Sequence, residues 1–255
     1  MTATPAGMTY ADYLKLDALL EAQQPLSDLH DEMLFIVIHQ TKELWLKQML
    51  HELRLAIALV DQDCFSPACK AMARMGRIQA VMTLSWDVLA TLTPVDYTAF
   101  RDVLGTSSGF QSAQFRELEF RLGIKDPRFL DHYAADGEAH AKLRIALDEP
   151  SLRDAAHSAL ERAGFDLGDR SDEAVGAAWL AVYRNADRWF ELYQLAEKLV
   201  DLDDALASWR HKHVLTVERI IGSKPGTGGS AGAAYLRSTL DKRAFPELWS
   251  MRTSL

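Results

Sequence analysis

Cysteine is scarce in this chain. The two present, Cys64 and Cys69, are too far apart for the two-residue spacing of a redox or zinc-ribbon pair, and no second pair completes a metal site. Both read as ordinary thiols of a reducing compartment. Basic tracts are also missing: the formal net charge is -8 and the acids are spread along the chain, so the electrostatic footprint of a nucleic-acid binder is absent. The longest apolar run, Met33 to Ile38, is far shorter than the ~20 residues that cross a bilayer. The opening MTATPAGMTY has neither the basic nor the apolar region of a targeting signal. A soluble, cytoplasmic protein without nucleic-acid or membrane partners is expected. Alternating segments of strand length are absent too, and no internal repeat is found.

What is there is helical. Of the residues, 48% are hydrophobic, enough for a substantial core in a chain of this size. From Asp31 to Val60, Leu34, Val37, Ile38, Leu44, Trp45, Leu53, Ile57 and Val60 read as an apolar stripe, with Lys42, Glu43, Lys47, Glu52 and Arg54 facing away. Ser66-Pro67 predicts the start of a second helix running to Thr93, where Thr93-Pro94 repeats the opening signal. The short helix that follows ends at Gly105, and another closes at Gly123. From Lys125 to about Asp172, Asp126-Pro127, Asp136-Gly137 and Glu149-Pro150 break the chain into small helices, which suits a variable insertion or surface subdomain. Ser171 to Gly222 reads as one or two long helices. The expected fold is an all-α, single-domain helical bundle over residues 1–255, with a helical insertion at about 125–172.

Three constellations could carry chemistry. In WRHKHVLTVERIIGSKPGTGGSAG, Trp209 to Gly232, His211 and His213 point about 200° apart on a helix and cannot grip one metal together. His213 falls on the stripe of Leu206, Trp209, Val217 and Ile220, while His211 sides with Asp204, Ser208 and Glu218. An inward histidine is a hydrogen-bonded core residue or, in an apolar groove, a ligand for haem iron. The Gly-rich loop 222–232 follows a helix rather than a strand, so it is no dinucleotide fingerprint, and no Gly-Lys-Ser/Thr closes it as a Walker loop. It is a flexible hinge or a lid whose N–H groups and Thr227 hydroxyl meet a small ligand.

The second constellation is Tyr97 and Arg101, four apart on one face, before Ser107-Ser108-Gly109. A guanidinium among aromatics suits a planar carboxylate, or is a surface cation resting on a ring. The third is LFIVIHQTKELW, where Phe35 and His39 are four apart and read as an apolar pocket with one polar atom. His51-Glu52 does not extend to HExxH.

Taken in order, MTYADYLKLDALLEAQQPLS, HDEMLFIVIHQTKELWLKQMLHELR, LTPVDYTAFRDVLGTSSGFQSAQFRELEF, WRHKHVLTVERIIGSKPGTGGSAG and FPELWSMRTSL resemble tryptophan 2,3-dioxygenases from about Met8 to the C-terminus, more weakly between Lys125 and Asp172. The resemblance implies a homotetramer with one haem b per subunit, which uses ferrous iron and O2 to open the indole ring of L-tryptophan to N-formyl-L-kynurenine. It places His213 as the proximal iron ligand and His39 near the indole nitrogen. Phe35, Ile36, Val37, Ile38, Tyr97, Ser108 and Gly109 would line the substrate pocket, Arg101 would hold the carboxylate, and Thr227 would contact the ammonium and carboxylate. It also makes residues 1–28 an arm whose Tyr10, Tyr13 and Leu14 cap a neighbouring subunit's site, and loop 222–232 a lid. Two other readings are a haem dioxygenase of another indoleamine and a non-catalytic haem-binding sensor.

Overall fold

The computed structural model describes residues 7–255. Thr9 caps α1 (Tyr10–Leu14) through a reciprocal pair with Asp12, and Lys15, in the left-handed region at φ 54°, turns the chain into α2 (Leu16–Leu20). No residue of either helix is buried, so this segment contributes nothing to its own subunit's core. The first six residues of the predicted arm lie outside the described residues. Glu32 then gathers the turn before the first long helix, accepting from the N–H groups of Leu26 and Ser27, both at 2.8 Å.

The frame is made of α3 (His30–Asp61) and α4 (Phe65–Leu89). After it come α5 (Pro94–Phe100) with a 3-10 turn at Arg101–Leu104, α6 (Ala113–Leu122), a 3-10 segment at Pro127–Tyr133, α7 (Gly137–Asp148) and α8 (Leu152–Arg162). The chain continues through α9 (Asp172–Arg184), α10 (Phe190–Ile221), α11 (Ala233–Arg237) and α12 (Pro246–Ser250). The architecture is all-α; among the described residues there is no strand and no single helix long and apolar enough to cross a membrane. Helix α4 packs against both α3 and α10. Leu53, Met75, Leu195 and Trp179 are fully buried within the shared cluster, each large side chain contributing ~1.5–3 kcal/mol by leaving water.

Two sequence expectations are corrected here. Helix α4 starts at Phe65 with no side-chain cap and stops at Leu89 rather than Thr93. Thr93 instead caps α5 by accepting from the Asp96 N–H, a role that requires extended backbone and takes Thr93 out of the preceding helix. The buried face of α3 is also rotated from the predicted stripe. Val37, Leu44 and Trp45 are exposed, whereas Lys42 and Glu52 are buried. The helical repeat carries Lys42 between Ile38 and Leu46, so position decides its burial and polarity does not. Glu52 is met by Arg74 of α4 at 2.7 Å and Gln48 at 2.8 Å; Lys42 has no such partner among the described residues.

Nor is the middle of the chain one surface unit. Leu152, Ala155, Ala156, Ala159 and Leu160 of α8 belong to the main core, while Phe129, Leu130, Tyr133, Leu143 and Ala146 form a separate cluster with Phe120. At the C-terminus, Asp203 of α10 accepts from the N–H groups of Ala244 (2.9 Å) and Phe245 (3.1 Å) and from the Trp249 indole (3.1 Å). This buried carboxylate straps the last segment across α10.

Candidate active site

His213 is on the inward face of α10, where its ring stacks on Trp86 of α4 with centroids 4.2 Å apart and planes 8° apart. Trp209, one turn earlier, closes a second side at 5.2 Å. Burial first, and then the nearby Lys42 and His39, hold its pKa down at about 3, so the imidazole is neutral with a lone pair available for a metal. His211 is exposed, and its Nδ1 donates to the Ala207 carbonyl at 2.9 Å. Among the described residues, no three His, Cys, Asp or Glu side chains cluster as metal ligands. A metal at His213 would therefore need its other ligands from a prosthetic group.

From α3, His39 and Phe35 reach the same cavity as His213. Their rings are 4.2 Å apart, and Phe35 touches Tyr97 and Phe100 at 5.9 and 5.8 Å between centroids. His39 Nδ1 lies 2.7 Å from the Phe35 carbonyl oxygen. That oxygen can only accept, so Nδ1 carries the proton and Nε2 is left as an acceptor. Burial is the main cause that lowers the His39 pKa to about 4, which keeps the ring neutral near pH 7.

The rim joins segments far apart in the chain. Arg101 follows the last residue of α5, and its backbone N–H still donates to the Tyr97 carbonyl, so the two side chains stay on one face as predicted. The guanidinium donates from Nη2 to the Pro225 carbonyl at 2.6 Å, a partner without any signal in the sequence. The Thr227 hydroxyl donates to the Ser107 carbonyl at 2.5 Å. Gly228 approaches so closely that a Cβ there would sit 2.6 Å from the Ser108 Cβ. The Gly226 N–H donates to the Ser230 carbonyl at 3.0 Å, so the loop is a folded turn laid over the Ser107-Ser108 segment.

Phe35, His39, Tyr97, Ser108, Gly109, His213 and Thr227 thus line one cavity, with Arg101 fastening its lid. Three expected lining residues do not belong. Val37 is exposed, Ile38 is packed with Trp86 and Leu89 in a core cluster, and Ile36 does not line the cavity. A helix carrying Phe35 and His39 toward the cavity turns Val37 to the opposite side and leaves Ile38 in the core beside it. Tyr10, Tyr13 and Leu14 are 75%, 74% and 40% exposed and do not reach the cavity of their own chain. Sequence reasoning missed Lys42, Trp86, Arg116, Arg210 and Tyr235, which also line it. Trp86 had the spacing of a core residue, and the cations are brought in by tertiary packing.

The description Tryptophan 2,3-dioxygenase belongs to the family whose model matches residues 1–168 and 168–255. The chain belongs to this family. A tryptophan 2,3-dioxygenase of Caulobacter vibrioides is 62% identical, the match covering 97% of this chain and 98% of that protein. Proteins of the same name from Bacillus thuringiensis subsp. konkukian and Burkholderia pseudomallei are 53% and 51% identical over 97% of this chain and 93% and 85% of theirs. The tryptophan 2,3-dioxygenase family is haem-dependent, and the cavity fits such a group. It offers neutral imidazoles at His213 and His39, flat aromatic walls at Trp86 and Trp209, and buried donors without acceptors at Trp86 Nε1, Trp209 Nε1, Arg116 Nε and Lys42 Nζ. An apolar macrocycle with ionised carboxylates is complementary to that set.

Proposed function

We infer that this chain cleaves the indole ring of L-tryptophan with O2, giving N-formyl-L-kynurenine, with one haem b per subunit held through His213. Bound haem supplies the iron at which dioxygen is activated; the residues of the chain bind, orient and enclose the amino acid. The observation that carries the reading is that two neutral imidazoles, His213 from α10 and His39 from α3, line one cavity whose lid is tied to Arg101.

Phe35 and Tyr97 give the indole an apolar seat, and His39 Nε2 accepts from the indole N–H. This orients the ring without requiring full proton abstraction from a very weak acid. The Arg101 guanidinium meets the carboxylate, and the Thr227 hydroxyl meets the ammonium and carboxylate end, with Ser108 and Gly109 forming the floor of the lid. Closing the loop excludes water. The test is turnover by the haem-reconstituted, reduced protein of L-tryptophan against D-tryptophan and tryptamine. Equal turnover of tryptamine would favour a dioxygenase of other indoleamines, and haem binding with no product would favour a sensor.

A homotetramer of single-domain, cytoplasmic subunits is part of the same reading. Helices α1 and α2, which contain no buried residue, and the exposed Met33, Val37, Leu44 and Trp45 of α3 support it, since such apolar faces are the usual signature of an interface. The arm 1–28 would place Tyr10, Tyr13 and Leu14 on the neighbour's cavity. Chains truncated up to Leu20, mixed with full-length His213→Ala chains, should then recover activity. No recovery in oligomers shown to be mixed would sink the arm.

A further inference from the structure

Lys42 is on α3, one turn beyond His39, and is 6% exposed. Its side chain lines the cavity and its Nζ lies 2.8 Å from the centre of the Trp86 ring, without a hydrogen-bond partner among the described residues. A buried ammonium without a counter-charge is costly, and an aromatic face replaces only part of the lost hydration. Burial pushes the amine down to about 6, so near neutral pH it takes up its proton fully only with an anion beside it.

The neighbouring cations differ. Arg116 and Arg210 both donate to the Glu119 carboxylate, and Arg210 also donates to the Lys242 carbonyl at 2.7 Å. Among the described residues Lys42 is buried with no carboxylate of its own, whereas Lys242, which also lines the cavity without one, is only half-buried; the indole N–H of Trp86 beside Lys42 is also unpaired. An oxyanion in the cavity would supply the partner that the Lys42 ammonium lacks. The propionate carboxylates of haem are oxyanions that would enter this cavity with the macrocycle, whereas the amino acid's carboxylate is met at the rim by Arg101.

We propose that Lys42 is a haem-anchoring residue whose ammonium pairs with a propionate carboxylate of the bound haem. The inference rests on the haem reading of the cavity. It is tested by titrating the haem-free protein and its Lys42→Met variant with haem and with haem dimethyl ester, in which both carboxylates are masked. Circular dichroism and thermal unfolding of the haem-free variants confirm folding, with Lys42→Gln as the second substitution. Lys42→Met should bind haem roughly 10-fold to 100-fold more weakly than the parent, the size of a charge-assisted hydrogen bond, while the two proteins bind the ester equally. An equal loss with both porphyrins, or no loss with either, would overturn the pairing and leave Lys42 as packing on Trp86. Failure of the parent protein to bind haem would overturn the haem reading along with it.

Discussion

His213 is held by ring packing, stacked on Trp86 at 4.2 Å with the tilted Trp209 ring beside it at 5.2 Å, whereas Arg101 and Thr227 are held by hydrogen bonds to the Pro225 and Ser107 carbonyls. Packing of the first kind orients a ring through contact over its whole face, with or without a ligand. Bonds of the second kind are exchangeable. A carboxylate oxygen can replace a carbonyl as acceptor, with most gain at Arg101, where both partners are then charged. On the proposed function, the His213 wall would be preorganised for a metal and the rim would trade partners when the amino acid arrives.

The severest way to break the contrast is on the packed side. His213→Ala should lose stoichiometric haem and all activity, while His211→Ala, on the exposed face, changes little. Haem absorbance of the purified variants decides this, and equal losses would refute the assignment of faces. On the rim, Arg101→Lys keeps the charge but cannot offer parallel N–H groups to a carboxylate. A loss of about 2 kcal/mol or more in kcat/KM is expected with haem content unchanged; unaltered kinetics would remove Arg101 from the site.

His39→Ala should cost on the order of 10-fold in kcat, less than an obligatory base contributes. A complete loss with haem and substrate bound would make the imidazole the base. Gly228→Ala tests the lid alone, because the added Cβ collides with Ser108 without touching Arg101 or Thr227. KM for L-tryptophan should rise by roughly 3-fold to 10-fold, the worth of about one weakened contact, and an unchanged KM would mean that this close approach is dispensable.

The remaining test concerns pH and the haem-free protein. The folded-state pKa of His39 is about 4, below its ordinary 6.5, so between these values the unfolded chain binds a proton that the folded one refuses. Stability is therefore fully present above pH 6.5 and declines as pH falls toward 4, by at most ~1.4 kcal/mol per pH unit for one group. Urea unfolding of His39→Leu should show a shallower decline than the parent; matching slopes would place His39 in solvent.

The all-α class, the inward His213 and the pairing of Tyr97 with Arg101 could be read from the chain because each depends on spacing within one helix, and 3.6 residues per turn is a local property. The same logic failed on α3. Lys42 and Glu52 looked outward because they are charged, and Val37, Leu44 and Trp45 inward because they are apolar, yet the helix buries the first pair and exposes the other three. Hydrophobicity reports the face that needs cover, and on a helix with two apolar faces it does not say which face the chain's own partners supply. Ile36, Val37 and Ile38 were attributed to the pocket by resemblance as a run, whereas the helical turn admits only Phe35 and His39 from that stretch.

By itself, then, the sequence determined the helices, the inward direction of the two imidazoles, and the family to which the chain belongs. Only the tertiary structure decided that Arg101 reaches Pro225 across 124 residues, that Trp86 supplies the plane on which His213 rests, and that Lys42 is enclosed without a counter-charge. Side-chain direction along a helix follows from backbone geometry that every residue shares. What a side chain meets depends on how α3, α4 and α10 are laid against one another, and that is a property of the packed chain as a whole.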